Sequence, residues 1–563
     1  MSSKQRKTFE LLFITIILSF YLFLTLSNIN AILNWFLTDD AFYYFKVAQN
    51  VSEGAGFSFD GINLGNGFQP LWMFICIPVF ALARFDLFLP FRVLLVIIGL
   101  FHAGSFILLY RLLRRFISEE IAVITAVLWG FSPFIINTVF NGGLESGLNA
   151  FFILLFWERL THFNLKDKIS EENLKQIFWL GVIGLLTILS RLDNVFLVFF
   201  GSVWLWIRWW NPPNGQTSSL RNKWLWRIKT GTAFNGIIVF GMSLYLAWNK
   251  ITFGDFMPVS GKVKIMWGSM WDTIYGKRVI NISQLLDELL SANFKVGPWA
   301  LLISKIHLSI AWFRGVVGIS GGEEISNNVI LGAVGFLGAL TIILFWLNRK
   351  KSVNILIKIG LIPLFLGTVL QAAYYKKFGS VAHKAWYWIQ EYIFIYIAVA
   401  IFAYLTYSLI KKMLWGQKIV LVLVVFYSIW LPFKTFQQFK AMVEHGARSE
   451  THEYNRYTEL LNENFEPGTV IGMTGSGAWG YFAESQTIIN LDGLINSIEY
   501  YQGLKDGTAA DLLSDNGMQY VIGKKVIITE SMPYYRVFEN HLEEIDLKFF
   551  TGSSQLNVWK FIP

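Results

Sequence analysis

The feature that most constrains this chain is a succession of apolar runs, each too long for the interior of an ordinary domain. The first, "LLFITIILSFYLFLTLSNINAIL" at residues 11–33, is long enough as a helix to cross a hydrocarbon core of roughly 30 Å at about 1.5 Å per residue. Composition agrees: 54% of the 563 residues are hydrophobic and only 15% charged, against about a quarter charged in soluble domains. The sequence reads as a polytopic α-helical membrane protein. The basic opening "MSSKQRK" resembles a secretory leader, but its apolar part is too long and no small-residue cleavage site follows, so an uncleaved first span is expected.

Lys and Arg explain the net charge of +9 without nucleic acid, because they cluster between apolar runs instead of forming a basic domain. With Lys4–Lys7, Arg111–Arg115, Lys166–Lys168, Arg208–Lys229, Arg349–Lys358 and Lys411–Lys418 all placed in the cytoplasm, one threading is consistent. It gives about eleven spans, near residues 9–36, 88–111, 120–140, 144–160, 177–190, 192–207, 230–250, 329–347, 356–374, 387–410 and 418–432. "SRLDN" then forms a hairpin at Arg191–Asn194, and Pro70–Arg84 becomes a juxtamembrane helix. Residues 1–432 are expected to form the membrane module, with an external loop at 38–69. Residues 433–563, where β-rich runs such as "GTVIGM" and "TIINL" alternate with Gly-rich turns, are expected to form an extracytoplasmic α/β domain. The expected location is the cell (inner) membrane with the N-terminus cytoplasmic. A single cysteine, Cys76, excludes an internal disulfide. No phosphate-binding Gly-Lys-Ser/Thr loop, zinc-ligand spacing or nucleophile elbow occurs.

Two adjacent carboxylates, Asp39 and Asp40 in "TDDAFYYFKVAQN", follow the first span. Ala41, Tyr44, Phe45 and Ala48 recur at helical spacing and predict one apolar face, while Asp39, Tyr43, Lys46 and Asn50 fall on another, as in a helix lying in the membrane interface. Thr38-Asp39-Asp40 suits a helix N-cap with an acidic first turn; equally, it suits a functional pair, one acid with a raised pKa serving as general base or both holding a divalent cation such as Mg or Mn. On the same outer face the threading places Glu145, Arg191 with Asp193, Lys262 with Lys264, and Lys376, Lys377, His383 and Lys384. Separately these read as a solvated loop acid, a hairpin ion pair and turn residues. Basic groups kept outside nonetheless point to an anion, and a lipid phosphate is the nearest one.

The stretch "DDAFYYFKVAQNVSEGAGFSFDG…NGFQPLW" resembles the first external loop of GT-C glycosyltransferases, polytopic enzymes that take sugar from a polyprenyl-phosphate carrier. It is most similar to the branch of the mycobacterial arabinofuranosyltransferases and, more distantly, to protein O-mannosyltransferases and the lipid A aminoarabinose transferase. "GGLESGL", "SRLDN", "FGDFMPVSGKVK" and "NLDGLINS" resemble later blocks of that branch, in order. Gly65 stands where the branch has Thr, Phe68 where it has Tyr, and Leu192 where it has Pro.

The resemblance implies a GT-C fold and inverting transfer to an acceptor hydroxyl on a glycan, lipid or protein. Asp39 would be the base and Asp40 would orient the acceptor or help hold a cation. Arg191, Lys262, Lys264 and Lys384 would hold the donor phosphate. Tyr43, Lys46, Glu145, Asp193 and His383 would contact sugar or orient these groups, with Asn66, Gln69 and Trp72 lining the acceptor side. The rival class is a transporter or flippase of lipid-linked sugars; it predicts internal repeats and midplane sites, whereas here the polar groups gather at one face. A structural membrane subunit would leave the acidic pair without a role.

Overall fold

The computed structural model describes residues 1–164, 173–208, 220–270, 273, 281–284, 297, 299–316, 327–378, 384–411, 413–445 and 454–563. His383 and the Lys166–Lys168 cluster lie outside the described residues. Six helices are long and apolar enough to cross a bilayer: Ser3–Thr25, Leu89–Leu113, Trp224–Phe253, Asn328–Leu347, Ile389–Ile410 and Trp415–His445. Two bent pairs, Glu119–Phe131 with Pro133–Phe140 and Arg349–Ile359 with Leu361–Phe378, pass the same test together. Shorter apolar helices at Leu174–Ser190 and Val195–Arg208 flank Arg191 and a single 3-10 turn, Leu192–Asn194. The protein is an integral membrane protein.

The expected first span of 9–36 is broken. Its helix ends at Thr25, and Asn28 caps a second helix, Ile29–Trp35, by accepting from the Asn30 amide at 2.9 Å. The helix containing Pro432 does not stop there but continues to His445. At the helix ends remote from Asp39 the basic clusters meet acids: Arg111 pairs with Glu10 at 2.6 Å, Arg6 with Glu119 at 2.8 Å, and Arg115 with Glu158.

Residues 454–563 carry a five-stranded sheet of order β2-β1-β3-β5-β4, with β1 Val470–Met473, β2 Thr487–Asn490, β3 Tyr520–Gly523, β4 Leu542–Phe549 and β5 Leu556–Phe561. β1 runs parallel to β2 and β3, while β5 is antiparallel to β3 and β4. Neighbouring residues on a strand face opposite layers, as a period of two requires. Ile488, Ile522 and Val558 join the core continuous with the membrane helices, whereas Ile489, Val521 and Trp559 join a second core on the far side. A helix from the membrane module, Val259–Ser269, inserts Val259, Val263, Met266 and Trp267 into that second core. The two parts of the chain are therefore interlocked.

A candidate active-site cavity between the membrane helices and the C-terminal sheet

The acidic helix runs Asp39–Glu53. Thr38 precedes it but makes no side-chain cap; its hydroxyl donates instead to the Gly142 carbonyl at 3.1 Å. The backbones of "FLT" and "NGG" pair there, with Thr38 N donating to Gly142 O at 3.1 Å and Gly142 N to Phe36 O at 3.0 Å. This pairing brings Glu145 beside the acidic helix, where it accepts from the Tyr44 hydroxyl at 3.1 Å. The expected amphipathic face is not exposed: Tyr43 and Asn50 are buried along with Tyr44 and Phe45. The second side is covered by Gly477–Phe482, a short helix of the C-terminal sheet domain.

The two adjacent carboxylates part company. Asp39 accepts from the Ala478 amide at 2.8 Å and the Gly477 amide at 3.3 Å, so both its oxygens are engaged by the loop that follows β1. Gly477 permits this approach, since a Cβ there would strike the Asp39 carbonyl. Burial raises the Asp39 pKa to about 7, aided by Asp40 and Asp492 and opposed by the two amides. Asp40 lines a cavity of about 630 Å³ and makes no hydrogen bond or ion pair among the described residues.

Arg191 closes one side of this cavity. It donates to Glu145 at 2.8 Å and to both Asp193 oxygens at 3.2 and 3.1 Å, reaches the Tyr375 hydroxyl at 3.0 Å, and lies 5.1 Å from the centre of the Tyr387 ring. Its fork is occupied by carboxylates. Asp193 also accepts from Gln371 at 2.7 Å and from Tyr375 at 2.8 Å. Gln69 joins the network through Oε1, which accepts from the Leu192 amide at 3.1 Å.

The helix Val259–Ser269 supplies the opposite side. Lys264 donates to the Tyr387 hydroxyl at 2.7 Å, sits 5.0 Å from that ring's centre, and makes no close ion pair among the described residues, although the charge of Asp40 acts on it. Lys262 also lines the cavity, paired with Asp255. Val195, Phe196, Met257 and Ile265 add an apolar part to the lining, with Val195, Met257 and Ile265 exposed.

The cavity thus gathers Asp40, Tyr43, Gln69, Glu145, Arg191, Asp193, Lys262 and Lys264. Five expected site residues do not line it, Asp39 among them. Asn66 ties loops together, donating to Asn249 at 3.2 Å and accepting from the Val259 amide at 2.9 Å. Trp72 is buried, with its indole N–H on the Gly143 carbonyl at 3.2 Å. Lys46 turns to Gln49 at 3.3 Å, and Lys384 is exposed beside Trp386. Of the carboxylate pair expected to hold a cation, Asp39 is engaged by amides, and no group of three or more His, Cys, Asp or Glu that could hold a metal ion occurs among the described residues. Sequence reasoning missed Tyr375 and Tyr387, which lie in the "YYKKFGSVAHKAWYW" stretch read only for its cations, and Asp255, which lies in the "FGDFMP" turn.

A domain family described as Domain of unknown function (DUF8728) matches residues 441–559. No curated protein sequence matches the chain. Among solved structures it is similar to the Archaeoglobus fulgidus oligosaccharyltransferase in the apo form, at 12% identity and TM-score 0.49, covering 96% of this chain and 73% of that one. ArnT from Cupriavidus metallidurans in the apo state gives 12% identity and TM-score 0.46 over 99% and 98% of the two chains. The arabinofuranosyltransferase AftD from Mycobacteria gives 13% identity and TM-score 0.31 over 86% of this chain and 35% of that one. The solved proteins similar to this chain thus include an oligosaccharyltransferase, an ArnT and an arabinofuranosyltransferase.

Proposed function

We propose that the chain is an inverting glycosyltransferase that moves one sugar from a polyprenyl-phosphate carrier to an acceptor hydroxyl at the extracytoplasmic face of the membrane. The observation that carries this reading is the pairing, in one cavity with apolar residues in its lining, of a carboxylate that makes no hydrogen bond or close ion pair among the described residues, Asp40, and a lysine that makes no close ion pair there, Lys264. The first-loop resemblance adds the donor class.

In the reaction the acceptor oxygen attacks the anomeric carbon as its proton passes to Asp40, and the bond from that carbon to the phosphate oxygen breaks with its electron pair leaving on the phosphate. Lys264, with Lys262 at the rim, stabilises the charge that develops there, where exclusion of water strengthens the attraction. Arg191 positions groups: it fixes Glu145, Asp193 and Tyr387 around the sugar. The apolar part of the lining suits a prenyl chain, since Val195 and Met257 are 45% and 51% exposed. The base assigned by resemblance moves by one residue, because Asp39 is held by the C-terminal domain.

The test is sugar transfer in lipid nanodiscs from a panel of undecaprenyl- and decaprenyl-phosphate-linked pentoses and hexoses to envelope extracts. Asp40→Asn is expected to lower turnover by roughly 10²- to 10⁴-fold with carrier binding retained. Full turnover by that variant would return the base to Asp39. A wild-type protein that moves labelled carrier across vesicles without transferring sugar would favour the flippase class.

A further inference from the structure

The loop after β2 sends Asp492 toward the acidic helix. Its carboxylate Oδ2 accepts from the Tyr43 hydroxyl at 3.0 Å, from the Gly475 amide at 2.7 Å and from Asn490 Nδ2 at 3.3 Å. Asp492 is 7% exposed and does not line the cavity, whereas Tyr43 does. Tyr43 follows Asp40 by three positions and so shares its side of the helix. Its ring lies edge-on to Phe59, 5.5 Å away. One hydrogen bond, made across the junction by a residue 449 positions distant, therefore fixes the aromatic wall next to the free carboxylate.

The surroundings are built for that contact. Asn490 also donates to Ser476 Oγ at 3.0 Å, and Asn496 donates to the Asn490 carbonyl at 2.8 Å, which holds the loops after β1 and β2 to one another. In sheets of this kind the loops beyond the carboxyl ends of parallel strands ordinarily face a ligand. Here they face the protein's own acidic helix. The "NGF" and "LDGLIN" segments meet nearby, where a Cβ on Gly67 would strike the Leu494 carbonyl, so the loop bearing Asp492 has a backbone anchor independent of the Tyr43 bond.

We propose that Asp492 is a positioning residue of the transfer reaction, acting through Tyr43, and that the C-terminal domain is thereby a working part of the active site. This inference rests on the glycosyltransferase reading above. It predicts coupling: Asp492 matters because of the Tyr43 hydroxyl, and once that hydroxyl is absent Asp492 contributes nothing more to turnover.

The experiment is a double-mutant cycle with the undecaprenyl- or decaprenyl-phosphate sugar that the wild type uses in the panel. Tyr43→Phe and Asp492→Ala are each expected to lower kcat by roughly 10- to 100-fold with donor KM changed by no more than about two-fold. The double variant is expected to be no slower than the worse single variant, because the two groups act as one unit. Asp492→Asn, which keeps an acceptor for the Tyr43 hydroxyl, is expected to recover much of the lost turnover. Multiplying losses in the double variant, or an Asp492→Ala protein with wild-type kcat, would overturn the proposal while leaving the Asp40 result and the enzyme class standing. An Asp492→Ala loss that tracks only a lowered melting temperature, without rescue by Asn, also overturns it. Absence of transfer by the wild type overturns the functional reading and this inference together.

Discussion

The two sides of the cavity are built on different electrostatic terms. The side made by the membrane helices holds Arg191 with Glu145 and Asp193 in a closed network, and the arginine side chain is only 2% exposed. The side made by Val259–Ser269, which belongs to the core of the sheet domain, holds Lys262 paired with Asp255 and Lys264 without a close ion pair among the described residues. A buried charge between apolar helices has to be neutralised within the protein, because its desolvation is otherwise unpaid. A helix at the junction can leave its charge for a ligand. On the proposed function, Arg191 organises the site and Lys264 holds the donor phosphate.

This contrast can be broken by experiment. Arg191→Ala should have the largest effect, since it strands Glu145 and Asp193: about 3–5 kcal/mol of stability, seen as loss of folded protein in detergent, with no rescue by Lys because the fork is lost. A well-folded Arg191→Ala protein with only a raised donor KM would reverse the assignment of the two sides. Lys264→Ala should fold normally and raise donor KM by roughly 10- to 100-fold; an unchanged KM would remove lysine from phosphate binding. Asp39 should give a smaller signature that depends on pH. Its folded pKa is raised from 3.8 to about 7, so the folded state keeps a proton that the unfolded chain releases. The stability owed to this group is thus greatest at low pH and is lost as pH rises from about 4 to about 7. The melting temperature should fall more between pH 5 and 7.5 in wild type than in Asp39→Asn; equal slopes would show that Asp39 does not titrate in this range. Lys384→Ala should change turnover by no more than about two-fold, as expected for an exposed charge.

The apolar helices were legible because length and hydropathy are local properties. So was the acidic helix, whose period placed it within two residues of its start. Its environment was not legible. Asn50 and Tyr43 read as a polar face, yet Asn50 donates to the Ser58 and Phe59 carbonyls and Tyr43 to Asp492, partners that spacing along the helix cannot identify. Likewise, nothing in the pair "DD" distinguishes its members; the distinction arises when the Gly477 and Ala478 amides select one of them. Glu145 read as a loop acid until the Thr38–Gly142 pairing carried it to Arg191. The glycines were the best available signal: Gly477 in "GSGAWG" and Gly67 in "GNGF" both mark places where two backbones come too close for a side chain.

The helix Val259–Ser269 packs against strands that are synthesised much later in the chain. Until residues 487–561 have been synthesised, its apolar face lacks the partners that bury it. Lys262 and Lys264 cannot take up their working positions before then. On the proposed function, a protein truncated before residue 487 is therefore expected to lack turnover, so that turnover reports completion of assembly.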